Sequence, residues 1–442
     1  MFWERETLKA NRAGRLTIGG CDCAKLVEKH GTPLYVMDDA HVRACCRAYK
    51  QAADMQPMPF RFYFASKTLC NIAIMQMMKQ EGFGVDVVSH GELYTAVCAG
   101  VAREDIIFHG NCKTPEELNA AFEFRVGSIA VDGFDELYKI LTIAQERDRK
   151  MNVYLRVRPG IEAHTHGAVQ TAVEDCKFGF GTTDGEVIRA AELVVKHSQH
   201  LHLLGLHCHL GSQIFEDEPY QDCVSALFDL MGQIAKKTGH YCENINLGGG
   251  VGVCYVPEDT SPDIGAFLKK ISARVVENTR KYGWPRLPTV VLEPGRSIVA
   301  DAGITLYRVG SVKEIPNIRT YVAVDGGMAD NPRPALYQSK YTAALANRMN
   351  DAPDGVYTLA GRCCESGDIL ITDAPLPKPQ VGDLVAVFVT GAYNASMSSV
   401  YNRLAHPAMV LVNNGKTHVI QARQSLSALI AQDRSLSEYL YQ

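Results

Sequence analysis

RFYFAS (Arg61–Ser66), VDVVS (Val85–Ser89), IIFH (Ile106–His109), SIAV (Ser128–Val131), VYLRV (Val153–Val157), LLGLH (Leu203–His207), NINL (Asn244–Leu247) and TVVL (Thr289–Leu292) are eight short strand-like runs. Each is long enough for a buried strand and too short for a helix. Between them lie segments with helical spacing of apolar residues, among them Asn71–Gln80, Glu116–Phe124, Asp135–Arg147, Gly185–Lys196, Tyr220–Lys237 and Ile264–Tyr282. Thr114 before Pro115, with Glu117 three residues on, predicts a helix start. Strands alternating with helices argue for a parallel sheet. An open doubly wound sheet would read similarly in places. The count of eight over roughly 250 residues favours a closed (β/α)8 TIM barrel.

Beyond about residue 305 the texture changes to a second, β-rich domain. Ile304–Gly310, Arg319–Val324, Tyr357–Leu359, Leu384–Val389, Met409–Val412 and His418–Gln421 read as strands, with Asn413-Asn-Gly as a hairpin signal between the last two. The reading is α/β: a barrel over residues 39–304, a C-terminal β-sandwich or β-barrel domain over 305–442, and an N-terminal segment, 1–38, whose strand-like Pro33–Val36 packs with the β-domain.

The 442 residues suit two such domains, and 46% apolar with 21% charged residues is ordinary for a globular chain with a sizeable core. The net charge of −4 and the lack of any Lys/Arg-rich run give no support to a nucleic-acid partner. No apolar run is long enough to span a membrane, and the charged start Met1-Phe-Trp-Glu-Arg-Glu-Thr lacks the apolar core of a secretory signal. The expectation is a cytoplasmic protein whose 14 cysteines are reduced thiols. None forms a C-x-x-C pair, so no structural zinc site is expected.

Barrel active sites lie at the C-terminal ends of the strands, so the polar residues there carry the interest. Lys67 closes the first strand. A lysine after an apolar run is usually a surface residue, but at a barrel mouth its amine can form a Schiff base with a carbonyl or with pyridoxal phosphate. Asp86 and Arg156 lie within strands, where a charge needs a partner or a ligand. His207-Cys-His209 invites a metal reading. No third ligand is evident in sequence, which favours a core histidine or a ring stacked on a cofactor. Gly248-Gly-Gly250 follows the seventh strand, where barrels bind phosphate on backbone N–H groups. Glu293-Pro-Gly295-Arg296 ends the eighth strand. Its acid is an ion-pair partner for the arginine or, with a pyridine cofactor, a group that keeps the ring nitrogen protonated. In the β-domain, Asp325–Tyr337, Cys363–Asp368 and Gly391-Ala-Tyr393 are three polar turns that make an argument only if they converge.

Lys67, His209-Leu-Gly-Ser212, Gly248-Gly-Gly, Glu293-Pro-Gly-Arg296, Cys364-Glu-Ser-Gly-Asp368 and Gly391-Ala-Tyr393 occur in an order that resembles the alanine-racemase-fold, pyridoxal-phosphate-dependent decarboxylases. The loop ending Arg333-Pro-Ala-Leu-Tyr337 resembles the diaminopimelate-decarboxylating members of that family. The resemblance spans roughly residues 30 to 425 and rests on seven motifs in the right order. It implies that pyridoxal 5'-phosphate is the cofactor and that Lys67 binds it covalently. It implies that His209 stacks on the ring and Glu293 pairs with its nitrogen. Ser212, Gly249, Gly250 and the 293–296 segment, Gly295 and Arg296 included, would hold the phosphate end, with Tyr393 nearby and Asp86 and Arg156 behind. Cys364 would return a proton after decarboxylation, reaching the site from a partner copy in a homodimer with shared active sites.

By the same resemblance, Arg296, Arg333 and Tyr337 bind a distal carboxylate, Glu365 a distal ammonium, and Tyr393 lies at the substrate. A diamine precursor such as ornithine or lysine would leave the arginines unpaired, costing roughly 1–3 kcal/mol or more. The expected reaction is therefore meso-2,6-diaminopimelate to L-lysine and CO2, the last step of lysine biosynthesis. A D-ornithine/D-lysine decarboxylase, or a decarboxylase for another diamino acid on the same scaffold, is the alternative that Arg333 and Tyr337 oppose. A racemase, which needs a tyrosine as second base, is opposed by the cysteine turn, and a catalytically dead regulator by Lys67, Glu293 and Cys364. The flank Phe64-Ala-Ser-Lys67-Thr-Leu departs from the commoner Tyr-Ala-x-Lys-Ala-Asn, which bears on pocket shape and not on the lysine itself.

Overall fold

A computed structural model describes residues 2–161 and 175–436; Met1, residues 162–174 and residues 437–442 lie outside the described residues. The chain divides into two compact units. One comprises Val42–Val253 and Asp259–Val299; the other comprises Met1–His41, Cys254–Glu258 and Ala300–Gln442.

The first unit is the barrel. Its strands are β1 Phe60–Ala65, β2 Gly84–Val87, β3 Ile106–Phe108, β4 Ser128–Val131, β5 Met151–Arg158, β6 Leu201–His207, β7 Asn244–Asn246 and β8 Thr289–Leu292. Each pairs in parallel with the next, and β8 pairs with β1 through Val290↔Phe60, Val291↔Arg61 and Leu292↔Phe62, which closes the ring. All eight lie where the short apolar runs predict them. Closure leaves no edge strand and turns alternate side chains inward. Tyr63, Ile107, Ala130, Tyr154 and Val291 form a buried cluster. The Tyr154 hydroxyl accepts from Asn244 Nδ2 at 2.7 Å, satisfying its buried oxygen.

Helices follow the strands, and their boundaries obey local chemistry. Thr114 caps Pro115–Phe124 through a reciprocal box: Thr114 Oγ1 accepts from the Glu117 N–H at 3.2 Å, and Glu117 Oε2 accepts from the Thr114 N–H at 3.0 Å. The helix after β2, His90–Cys98, starts on Ser89, whose hydroxyl accepts from the Glu92 N–H at 3.2 Å. Together these connections present every strand's C-terminal end on one face.

The second unit is built on the 13-residue strand Gly303–Ile315. Its first half pairs antiparallel with Leu34–Met37 on one side and with Leu384–Phe388 on the other. A bulge between Val309 and Ser311 re-aims the strand, and its second half pairs with Arg319–Val324. Gly355–Ala360 and Ile369–Leu376 extend the sheet on that side. Ala408–Asn413 and Lys416–Gln421 extend it on the other, joined by the turn at Asn414 and Gly415, both at positive φ. Ile369–Leu376 and a three-stranded N-terminal sheet (Leu8–Ala10, Leu16–Ile18, Cys21–Asp22) are additions that the sequence patterns did not single out.

Candidate active site

Lys67 leaves β1 in a tight 3-10 turn, Ser66–Thr68, at the barrel mouth. The turn is braced from the helix after β2: Ser66 Oγ donates to Glu92 Oε2 at 2.8 Å, and that oxygen also accepts the Val88 N–H at 2.8 Å. The Lys67 ammonium stands 3.4 Å from Asp86 Oδ2; the lysine side chain is 37% exposed and the aspartate fully buried in β2. Among the described residues Asp86 Oδ1 has no hydrogen-bond partner. Arg156 of β5 lies 3.9 Å from Asp132, just past β4, and its guanidinium stacks 4.0 Å from the Phe178 ring.

Glu293, one residue past β8 and only 4% exposed, is the hub of the mouth. Its Oε1 accepts from Asn246 Nδ2 at 2.7 Å and lies 2.9 Å from His109 Nε2; its Oε2 lies 3.3 Å from His207 Nε2. Burial alone would raise its pKa, but His109 and His207 outweigh that and hold it well below the usual carboxylate range. Burial lowers His207 to about 4, against the pull of Glu293. His207 is therefore neutral, donating through Nε2, while Nδ1 has no partner among the described residues. The result is a buried carboxylate anion with donors on both oxygens. The sequence offers no third ligand beside His207-x-His209. The fold supplies His109 and Glu293, on His207's side, and pairs their ligating atoms with one another.

His209 lies two residues further on and accepts the Gly249 N–H on Nδ1 at 3.2 Å. Burial, with the Lys67 and Arg156 charges, holds it well below the ordinary histidine range, so its ring is neutral. Gly248-Gly249-Gly250 turns sharply after β7, with φ of +65° at Gly248 and +111° at Gly250. A Cβ on Gly249 would meet Glu293 O at 2.2 Å, and one on Gly250 would meet Gly211 O at 2.5 Å. Only glycine fits there, and such a loop lays backbone N–H groups where an anion can approach. The Tyr220 hydroxyl donates to Gly249 O at 2.9 Å, the Ile214 N–H donates to Gly250 O at 2.9 Å, and the Gly248 N–H donates to Asn246 Oδ1 at 2.9 Å, so the loop is held through carbonyls and N–H groups alike. Arg296 donates to Ser212 Oγ from Nε at 3.3 Å and from Nη2 at 2.8 Å. A Cβ on Gly295 would meet Thr68 Cγ2 at 2.4 Å, so this turn packs directly against the one that carries Lys67.

The β unit holds a second cluster. Arg333, 9% exposed, opens the short helix Arg333–Tyr337. Its guanidinium lies 5.4 Å from the Tyr393 ring, 5.6 Å from Tyr337 and 5.9 Å from Tyr255, within reach of cation–π attraction. Its Nη2 donates to Ser339 Oγ at 3.2 Å, and Nε has no partner among the described residues. Tyr393 takes φ +65°, uncommon for a side chain of its size. Cys364 and Glu365 are exposed. The Cys364 N–H donates to Asn402 Oδ1 at 2.7 Å, and Glu365 Oε1 accepts the Gly367 N–H at 3.3 Å. Asp368, buried, accepts the Met328 N–H at 2.6 Å and the Cys363 N–H at 2.8 Å, tying the cysteine turn to the loop before Arg333.

Residues 39–300 match the family described as pyridoxal-dependent decarboxylase, pyridoxal binding domain. Over 427 residues the chain is 46% identical to a diaminopimelate decarboxylase of Bacillus subtilis, covering 97% of each. The chain belongs to the diaminopimelate decarboxylase family. A Synechocystis member is 42% identical over 97% of this chain and 92% of its own. A solved diaminopimelate decarboxylase of M. jannaschii superposes with a TM-score of 0.89 at 33% identity, over 98% of this chain and 99% of that one. The Helicobacter pylori enzyme solved with L-lysine gives 0.84 at 29% identity, over 94% of this chain and 99% of that one.

Of the residues singled out in the sequence, Lys67, Asp86, Arg156, His209, Ser212, Gly249, Gly250, Glu293, Gly295 and Arg296 lie in the barrel unit. Arg333, Tyr337, Cys364, Glu365 and Tyr393 lie in the β unit. His109 and Asn246 are not singled out by any motif, although both lie at strand ends, where polar residues carry the interest. In sequence His207 shows only as half of an H-x-H pair. Tyr255 and Tyr341 carry no sequence signal at all.

Proposed function

We propose that this chain decarboxylates meso-diaminopimelate to L-lysine with pyridoxal 5'-phosphate at the barrel mouth, as the last step of lysine biosynthesis. The observation that carries the substrate assignment is Arg333. It is a buried cation ringed by phenols, with no ion pair among the described residues. A buried charge without a counter-ion is costly, and a distal carboxylate on the substrate would supply one. The guanidinium fork suits a planar carboxylate, and an ammonium in its place would be repelled.

The barrel mouth fits the cofactor. Asp86 has an unused buried oxygen beside the Lys67 amine, and the glycine loop 248–250 is a cradle that any Cβ would fill. Lys67 would hold the aldehyde carbon, His209 the ring face and Glu293 the ring nitrogen. Ser212, Gly249, Gly250, Gly295 and Arg296 would hold the phosphate, with Tyr393 beside it. Once bound, the pyridine ring supplies an electron sink for the pair released as CO2 leaves. The protein's own share is electrostatic and positional. Glu293, kept ionised, favours a protonated ring nitrogen. Neutral His209 adds no positive charge against the ring. Asp86 and Arg156 fix the field around the Lys67 amine, and Glu365 would take the distal ammonium. Cys364, from a partner copy in a homodimer, would give its thiol proton to the carbon that lost CO2.

None of the 14 cysteines forms a disulfide, which supports an enzyme of a reducing, cytoplasmic compartment. The deciding experiment is CO2 release by the purified protein with pyridoxal phosphate, offering meso-diaminopimelate, L- and D-lysine, and L- and D-ornithine in parallel. Turnover of meso-diaminopimelate alone is expected. Turnover of a distal-amine substrate instead would overturn the reading of Arg333.

A further inference from the structure

We propose that Tyr255 is a positioning residue for substrate choice, holding the Arg333 guanidinium in the orientation that receives a distal carboxylate. The inference rests on the reading of Arg333 given above and extends it to a residue outside the recognised motifs.

Tyr255 lies on the five-residue excursion Cys254–Glu258. There the chain leaves the barrel unit between β7 and β8 and joins the β unit. It is 6% exposed, and its ring forms one of the three aromatic walls around Arg333. The other two, Tyr337 and Tyr393, belong to turns already singled out by sequence; Tyr255 does not. Its ring is fixed from behind. Tyr341, also buried, meets it edge to face at 5.3 Å and 87°, and the Tyr341 hydroxyl donates to Asn394 Oδ1 at 3.3 Å. Asn394 is itself fully buried.

Such walls matter because an arginine side chain has many rotamers and recognises a carboxylate only when its planar fork faces it. Apart from Ser339, the groups on the flanks of Arg333 are phenols: the rings of Tyr255, Tyr337 and Tyr393, and Tyr341, which hydrogen-bonds it. Burial would lower its pKa, and the surrounding phenols more than offset that, so the cation is kept in place without an acid to pair with. A carboxylate of its own would neutralise the fork before substrate arrived. Aromatic walls steady the charge without neutralising it, and Nε has no partner among the described residues.

The test is steady-state kinetics of the pyridoxal-phosphate-loaded enzyme with meso-diaminopimelate, for Tyr255→Ala, Tyr255→Phe and Arg333→Ala. Losing one desolvated cation–π wall should raise KM about tenfold or more, with kcat within about twofold and the cofactor absorbance unchanged. Tyr255→Phe keeps the π face and should stay within about twofold of the parent in both constants. If Tyr255→Ala does not fold, Tyr255→Leu, which keeps bulk without a π face, carries the same expectation. An unchanged KM in the folded Ala or Leu variant overturns the proposal. So does a Phe variant as impaired as the Ala variant, since the hydroxyl would then be the active element. A loss confined to kcat or to cofactor binding overturns it too. Arg333→Ala separates the two layers. If it leaves KM unchanged, the distal-carboxylate reading falls; if it raises KM while Tyr255→Ala or →Leu does not, Tyr255 alone falls.

Discussion

Replacing Glu293 by Gln should cost the fold only modest stability and remove most of the activity. The structure gives both halves of that expectation. Glu293 Oε1 receives Asn246 and His109, and a glutamine oxygen placed there can receive both. The new amide N–H2 then faces His207 Nε2, where Oε2 was. Because His207 Nδ1 has no partner among the described residues, the ring can move its proton there and accept from the amide. That leaves one buried N–H, at His207 Nδ1, without an acceptor among the described residues, so the stability cost should be about 1–3 kcal/mol. The charge, however, is gone. A unit charge pair at contact distance under an effective dielectric of about 20 is worth about 4 kcal/mol, roughly a thousandfold in rate. The assays are thermal unfolding by circular dichroism and CO2 release at saturating meso-diaminopimelate. A Glu293→Gln enzyme with bound cofactor and kcat within threefold of the parent would refute the role given to this carboxylate. The pH dependence adds a check. The folded-state pKa of Glu293 is depressed, so its stabilisation is present above the unfolded value of about 4.3 and lost as pH falls through the lower folded value. The glutamine variant should therefore lose less stability than the parent on acidification below about pH 4.

Lys67→Ala should abolish the absorbance band of covalently held pyridoxal phosphate and all turnover; a surviving band would reassign the lysine. Cys364→Ala should keep that band and lose most turnover, and full activity would remove Cys364 from the chemistry. If Cys364 acts across a homodimer, mixing these two dead variants should recover up to about a quarter of parental activity. Half of the dimers would then carry one intact site in two. Lys113→Met should cost about 3–5 kcal/mol, measured by urea unfolding. The Lys113 ammonium is buried and donates to Gly110 O, Ala130 O and Glu136 Oε1, each at 2.8 Å. Burial already raises Glu136's pKa, and losing the lysine raises it further. A carboxyl raised in the folded state loses stability as pH rises, so the deficit should shrink in mild acid; a pH-independent deficit would count against this account.

The barrel was legible in the sequence because a closed parallel sheet leaves a strong one-dimensional trace. Strands buried on both faces become short apolar runs, and crossover helices keep an amphipathic period. All eight runs from Arg61 to Leu292 became strands. Thr114 and Glu117 formed their capping box, because a cap is a contact between residues three apart. The β unit was less legible. Its central strand changes partners at the Val309–Ser311 bulge, and its neighbour Leu34–Asp38 comes from the other end of the chain. No local pattern encodes such pairing.

The same division runs through the site. Lys67, the glycine loop and Glu293 could be found in sequence because each sits where a strand ends, and strand ends in a barrel converge by topology alone. Which groups they meet was decided by the tertiary structure. The donors around Glu293 come from β3, β6 and β7, and only closure of the ring brings His109, His207 and Asn246 to one carboxylate. Tyr255 stands beside Arg333 because the chain crosses between units at Cys254–Glu258, a route with no signature in composition or period. Sequence alone determined the order of the elements and the kinds of chemistry each could carry, since propensity, capping and strand ends are local. Ionisation, hydrogen-bond partners and the pairing of distant residues depend on burial and through-space distance, which exist only once the chain has folded.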